Sequence, residues 1–391
     1  MPIRKFQADQ LFDGESTLRD RVLITEDDGT IIDLVAAEEA GPDVQQLNGT
    51  LMPGLINAHC HLELSHLKDV IPPHTGLIEF LCSVVTKRGF DPGIIQTKIQ
   101  EAEQEMYQNG IVAVGDIGNT ADTATVKSKS LIRWQTFTEV LSFTDEKADE
   151  SVAHFKLVAN ELKKKLQDNP VGHRTSLVPH APYSISPKTF QLINEATEGE
   201  VISMHNQEHP AEDDLYKTGQ SEYLRLFRIF GIDTSPFPVT GQSALRSVLP
   251  HFTNGQTIFL IHNTSTTEED IVWAEAYAST HGLTLVWCLC INANLYIENK
   301  VPPIDALMKH GCQVVLGTDS YSSNWQLSIA KEMQAIRLHF PSIPTDTILY
   351  WATASGATAL RWENTLGSFQ KGKKPGIVLL ADDWSSSQRL L

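Results

Sequence analysis

The sequence predicts an α/β fold: a (β/α)8 barrel with a small β-sandwich domain built from both chain ends. Three observations predict it. Through the middle of the chain, short apolar runs alternate with amphipathic helical patterns, which implies parallel strands joined by crossover helices. About eight such units can be counted, more than a typical open sheet needs. The two ends read instead as short strands and turns. The length of 391 residues, with 41% hydrophobic and 20% charged, suits one large globular barrel with additions. The boundaries that follow are residues 1–52 and 363–391 for the two parts of the small β-domain and 53–362 for the barrel.

Taken in order, Asp13-Gly14 and Asp28-Gly29 are turn signals between apolar stretches of the N-terminal part. Barrel strands are expected at 55–58, 111–115, 134–139, 175–178, 201–204, 257–261, 283–287 and 313–316. Helical patterns occupy 95–108, 150–166, 266–281, 303–310, 328–339 and 346–360. Another helix starts at Ser186-Pro187, an N-cap followed by a proline in the first turn. Gly110, Gly282 and Gly311 stand where a helix should stop and a strand begin. Residues 90–93 and 230–240 are irregular and are candidate lids. The apolar face at 327–340 suits either a homodimer interface or packing on the barrel. Gly367-Ser368-Phe369 and Ile377-Val378-Leu379-Leu380 return to the strand pattern of the N-terminal end.

Charge narrows the class of partner. Forty-eight acidic against thirty-one basic residues leave a net charge of −17. A phosphate backbone or an anionic membrane needs clustered cations, so neither nucleic acid nor membrane is expected as a partner. The run Lys163-Lys164-Lys165 reads as the solvated end of a helix. Five cysteines fit a reducing compartment, and no signal peptide follows the first residues, so a cytoplasmic location is expected.

In a barrel, reactive side chains lie at the C-terminal ends of strands. The first strand ends in His59-Cys60-His61. Alternate strand residues share a face, so His59 and His61 can both enter the barrel mouth while Cys60 points away. The fifth strand ends in His205, with Glu208 three residues on; the sixth ends in His262 and the eighth in Asp319. Each alone also reads as structural: a hydrogen-bonded histidine pair, a core histidine, a helix cap. Together at the same end of four strands they suit one divalent metal. Three imidazoles and a carboxylate form a site for zinc, with iron(II) a second choice. Such an ion lowers the pKa of a bound water towards neutrality.

The sequence resembles the amidohydrolase superfamily, in its branch of cytosine, adenosine and methylthioadenosine/S-adenosylhomocysteine deaminases and chlorohydrolases. The resemblance rests on Met52-Pro53-Gly54-Leu55-Ile56-Asn57-Ala58-His59-Cys60-His61, Pro179-His180-Ala181-Pro182-Tyr183-Ser184, His205-Asn206-Gln207-Glu208 and Leu316-Gly317-Thr318-Asp319-Ser320. The run His61-Leu62-Glu63-Leu64-Ser65-His66 is similar to that of aminodeoxyfutalosine deaminases. The resemblance implies a TIM barrel with His59, His61, His205 and Asp319 as metal ligands. It implies that Asp319 also takes a proton from the water, that Glu208 protonates the substrate's ring nitrogen, and that His262 bonds the water or the tetrahedral intermediate. His180 is implied as a substrate contact. The fourth strand ends Val178-Pro179-His180, without the lysine that bridges two metals in binuclear relatives, so one metal is expected.

The reaction expected is hydrolytic deamination of an adenine-type nucleoside, with release of ammonia. A chlorohydrolase, a guanine or cytosine deaminase and a cyclic amidase are the alternatives on the same scaffold. An inert binding scaffold is the remote one. Asn292, Asn294 and Ser320 are candidate substrate contacts. Glu63 and His66 either bind substrate hydroxyls or cap a helix. Cys288 and Cys290 read as buried small hydrophobes, with a second metal site the lesser reading.

Overall fold

A computed structural model describes residues 3–391. Eight parallel strands lie at the expected places: β1 (Leu55–Cys60), β2 (Ile111–Ile117), β3 (Arg133–Val140), β4 (His173–Pro179), β5 (Val201–Asn206), β6 (Thr257–His262), β7 (Thr284–Leu289) and β8 (Val314–Leu316). They are hydrogen-bonded in sequence order as two four-strand ladders, β1 to β4 and β5 to β8. The ladders meet along two seams. At the first, the backbone N–H groups of Thr318 and Asp319 donate to His59 C=O, and the Asn57 side chain bonds Thr318 on both sides. At the second, between β4 and β5, one backbone bond runs from His205 N–H to His180 C=O at 2.9 Å. Nearer the N-terminal end of that seam, Ser176 Oγ donates to Val201 C=O at 2.7 Å.

Every barrel strand is buried over most of its length because both faces are covered, as in parallel sheets generally. Inside, Phe137 and Phe259 meet across the barrel with ring centroids 6.1 Å apart. Each fully buried aromatic of this kind contributes roughly 2–3 kcal/mol of transfer free energy. Outside, the crossover helices cap as their sequences dictate. Ser186 accepts from Thr189 N–H, with Pro187 in the first turn. Gly282 ends the helix Glu268–His281 at φ 69°, a left-handed position that costs glycine nothing. The helix Ile329–His339 turns Ile329, Ala330, Met333 and Ile336 into the barrel's core, so its apolar face is spent on packing there.

The chain ends meet in one seven-stranded sheet. Strand Gln45–Pro53 pairs in parallel with Ile3–Phe12 and antiparallel with Ile377–Leu380. Where a sandwich was expected, the hydrogen bonding is that of a single continuous sheet with two buried faces. Phe12, Met52 and Val378 face the barrel core, while Leu11, Leu51 and Ile377 form a separate core with Phe6, Leu23 and Phe369. Alternation along the strands sorts them.

Six α-helices escaped the sequence reading: Leu77–Lys87, Ala124–Lys127, Pro210–Thr218, Tyr223–Ile229, Ala244–Val248 and Ile291–Glu298. Each is short or lies in a stretch taken for loop. The segment 346–360 is helical but carries a π turn, Trp351–Ser355, between two α segments. Among the described residues no helix is long and apolar enough to cross a membrane.

Candidate active site

The C-terminal ends of β1, β5, β6 and β8 converge. His59 Nε2 and His61 Nε2 stand 3.2 Å apart, and both face Asp319 Oδ1, at 3.5 Å and 3.3 Å. His205 joins His59 and His61 in one group of convergent ligand atoms, and His262 joins His59 and Asp319 in another. Several of these residues sit in the left-handed region without being glycine: His262 at φ 72°, Asn263 at 59°, Asp319 at 57° and Gln207 at 42°. Each such residue costs on the order of 1–3 kcal/mol, and strain of this kind concentrates at working sites.

The electrostatics of His59, His61, His262 and Asp319 fit a cation. At His205, burial lowers the pKa but Glu139 outweighs it and pushes the imidazole up to about 9, so His205 must give up a proton to serve as a ligand. Burial pushes His59, His61 and His262 down to about 4, so at neutral pH their imidazoles are uncharged and offer lone pairs. Burial also penalises the charged form of Asp319, but His59, His61 and His262 outweigh it and hold the carboxylate well below its usual range. His59 Nδ1 is buried without a hydrogen-bond partner. Bare nitrogens and a carboxylate oxygen converging at these separations match the edges of a tetrahedral site with bonds of about 2.0–2.2 Å. The residues present therefore fit a divalent ion.

Gly317 makes the cluster possible. A Cβ there would stand 2.8 Å from His59 Cβ and 3.0 Å from Cys288 Sγ. Gly317→Ala is expected to displace His59 and weaken metal binding about tenfold, the cost of modest overpacking. Competition against a chromophoric chelator measures it. Cys288 and Cys290 are fully buried and packed, as small hydrophobes are.

A cavity of about 430 Å³ opens onto the cluster. Its walls are apolar, including Phe80, Leu81 and Val84 from the helix Leu77–Lys87 and Phe143, Leu226 and Phe230 opposite. Phe230 and Ile232, at the start of the irregular 230–240 segment, line it; of the 90–93 segment, Phe90 packs on His66 instead. Glu208 lies at the cavity's inner end, 9% exposed, with Oε1 3.6 Å from His262 Nε2. Its carboxyl is pushed up to about 8, chiefly by burial, with Asp319 and Glu298 adding to the shift and His205 opposing it. His262 Nδ1 donates to Asn294 Oδ1 at 2.9 Å, which leaves Nε2 as an acceptor facing the cavity.

The expected substrate contacts divide. His180 and Ser320 line the cavity; His180 Nδ1 is held by Ser184 Oγ at 2.8 Å. Glu63 lines it too, but its Oε2 accepts the backbone N–H groups of Asn119 and Thr120, which makes it a loop anchor. His66 is outside the lining and bonds Arg88 C=O. Asn292 is also outside. Its backbone and side-chain amides donate to buried Glu332, because this segment is a helix start and not the loop expected.

Two charged cavity residues went unread. Glu139, at the end of β3, has Oε1 3.4 Å from His205 Nδ1 and Oε2 bonded by Asn119. Burial raises its pKa, but His180, His205 and His61 outweigh it, so it stays ionised. The strand-end rule that found the other residues would have found this one. Arg88 lies just past the helix Leu77–Lys87, which the sequence reading did not find.

Residues 50–389 match the amidohydrolase family.

The chain belongs to the amidohydrolase family.

Among relatives of this amidohydrolase is a 5-methylthioadenosine/S-adenosylhomocysteine deaminase of Saccharophagus degradans. It is 26% identical over 384 residues, 93% of this chain and 78% of the relative. An aminodeoxyfutalosine deaminase of Nitratiruptor is 25% identical over 343 residues, 85% of this chain and 79% of that one. Among solved structures, Helicobacter pylori aminofutalosine deaminase with methylthio-coformycin superposes with a TM-score of 0.77 at 21% identity, covering 97% of this chain and 92% of that one. A Xanthomonas campestris adenosine deaminase with bound zinc gives 0.70 at 21% identity, covering 97% and 84%. The structural likenesses carry the fold, a TIM barrel, and the family match makes the chain a hydrolase.

Proposed function

We propose that this amidohydrolase is a hydrolytic deaminase of an adenine-type nucleoside, with one divalent ion, zinc first, held by His59, His61, His205 and Asp319. The observation that carries the reading is Glu208: a buried carboxyl raised to about 8, at the inner end of the cavity and beside the ligand cluster. Hydrolysis of a cyclic amidine needs a proton at the ring nitrogen as water adds to the neighbouring carbon, and Glu208 can give one at neutral pH. The named functions of the relatives agree with it.

Bound in this cluster, a divalent ion would supply hydroxide near neutrality. Asp319 accepts the proton of the attacking water. Ser323 Oγ–H donates to its Oδ2 and keeps the carboxylate oriented. Glu208 protonates the ring nitrogen. His262 Nε2 receives a hydrogen bond from the added hydroxyl and holds it in place. Asp319 returns its proton to the exocyclic amine, which leaves as ammonia. As the ring carbonyl forms, the added hydroxyl gives up its proton by way of His262 to Glu208, restoring its carboxyl, so one water enters and one ammonia leaves. The apolar walls exclude competing water and hold the rest of the substrate.

The test is ammonia release by the zinc-loaded protein from methylthioadenosine, S-adenosylhomocysteine, aminodeoxyfutalosine, adenosine, guanine and cytosine. Release from an adenine nucleoside supports the proposal. Silence across the panel, or chloride release from a chlorinated triazine, moves the reaction to another leaving group.

A pH dependence follows. Glu208 must be protonated to act, and its raised value means the proton is lost as pH rises through about 8. The expected result is a fall in kcat/KM on the alkaline side. That limb disappears from the residual activity of Glu208→Gln, measured across pH 6–10 as about ten points.

A further inference from the structure

We infer that the barrel carries an anion site at its N-terminal end, in the seam between β4 and β5, suited to a phosphate group. The site is independent of the deaminase reading and lies at the opposite end of these strands from His180 and His205. At this end no ladder joins β4 to β5, and the bridge is Ser176 Oγ to Val201 C=O. A cavity of about 520 Å³ occupies the gap, with buried Gln135 and Ser176 on its floor and Lys163, Arg174, Arg361 and Glu200 around it.

Three cations and one carboxylate give this lining a net charge of 3 − 1 = +2. The chain as a whole has 48 acidic and 31 basic residues, so cations are the scarce partner. Yet none of Lys163, Arg174 and Arg361 forms an ion pair among the described residues. Beyond this lining, Glu363 partly offsets the effect of Arg361 on Arg174, and Arg133 is a further cation that feels Arg174. Burial and the neighbouring Arg361 both lower the proton affinity of Arg174, a sign of like charges held together.

Capping accounts for part of this arrangement. Arg174 donates to the carbonyls of Leu360 and Arg361, and Arg361 donates to Gly199 C=O and Thr257 Oγ1. Those bonds fix the two guanidinium planes and still leave N–H groups, since each guanidinium has five. Lys163, in the last turn of the helix Ala148–Leu166, makes no side-chain hydrogen bond or ion pair and is free to reach the cavity. Two planar forks and an ammonium around a +2 cavity match a phosphate, which carries about −1.5 to −2 at neutral pH. The room beyond one phosphate admits a phosphomonoester as well as the free ion.

The experiment is calorimetric titration and thermal melting of the full-length, zinc-loaded protein with inorganic phosphate, against sodium chloride of matched ionic strength. Ribose 5-phosphate forms a second arm. Phosphate is expected to raise Tm by about 2 °C at saturation. Lys163→Glu, a change at an exposed and unbonded side chain, weakens phosphate binding about tenfold or more. Asp319→Asn leaves it unchanged. Tighter binding of the sugar phosphate assigns the site to a phosphomonoester, and equal or weaker binding assigns it to the free ion. The inference is overturned if chloride reproduces the shift or if Lys163→Glu binds phosphate like the parent. Loss of binding in Asp319→Asn also overturns it, by placing the ion at the catalytic cluster.

Discussion

Glu208→Gln is expected to lower kcat/KM by about 10²–10⁴-fold while bound metal stays at the parental level. The amide keeps the size and most of the polarity of the carboxyl but has no proton of the right acidity to give. Glu208 is not in either convergent ligand group around His59, so the substitution spares them. Steady-state kinetics and metal analysis on the same sample separate the two quantities. A drop in metal content together with activity would make Glu208 a structural support. Unchanged kinetics would mean that another group carries the proton.

Lys127→Met is expected to destabilise the fold by about 3–5 kcal/mol. Lys127 Nζ pairs with Asp116 Oδ2 at 2.5 Å, and neither side chain has any solvent exposure. Nζ also donates to Thr136 Oγ1 at 3.0 Å and lies over the Trp134 ring. Removing the ammonium leaves a buried carboxylate without its counter-charge, which costs far more than the pair contributes. The other oxygen, Asp116 Oδ1, accepts Leu62 N–H at 2.8 Å, one residue beyond His61. The loss should therefore reach the histidine pair and weaken metal binding too. Denaturant unfolding of the metal-free protein measures the first effect. The double variant Asp116→Asn/Lys127→Met should recover most of it, because no unpaired charge remains. Equal instability of single and double variants would assign the loss to packing.

The barrel was legible because its strands are short apolar runs between helical patterns, and because each strand stops at a turn or a charged residue. The cluster was legible for a related reason. His59, His205, His262 and Asp319 stand at strand ends, where only one face of the barrel can receive them. What stayed hidden has no local signature. Asp116 and Lys127 are eleven positions apart, and nothing in the sequence pairs them; only the fold buries both. Asn292 looked like a ligand contact because a helix of eight residues, Ile291–Glu298, shows too little periodicity to be distinguished from loop. Glu63 could not be resolved between substrate and backbone until the Asn119–Thr120 turn was placed against it. The apolar cavity wall comes largely from the helices Leu77–Lys87 and Tyr223–Ile229, whose hydrophobic residues read equally well as core.

The interrupted ladder has a consequence for how the molecule assembles. The two four-strand ladders are half-barrels, each hydrogen-bonded within itself. His59 and His61 belong to the first half, and His205 and Asp319 to the second. Of the four proposed ligands neither half holds all, so the site forms only where the two halves meet. A captured ion would tie the two halves together at the barrel mouth, beside the backbone bonds that already cross each seam.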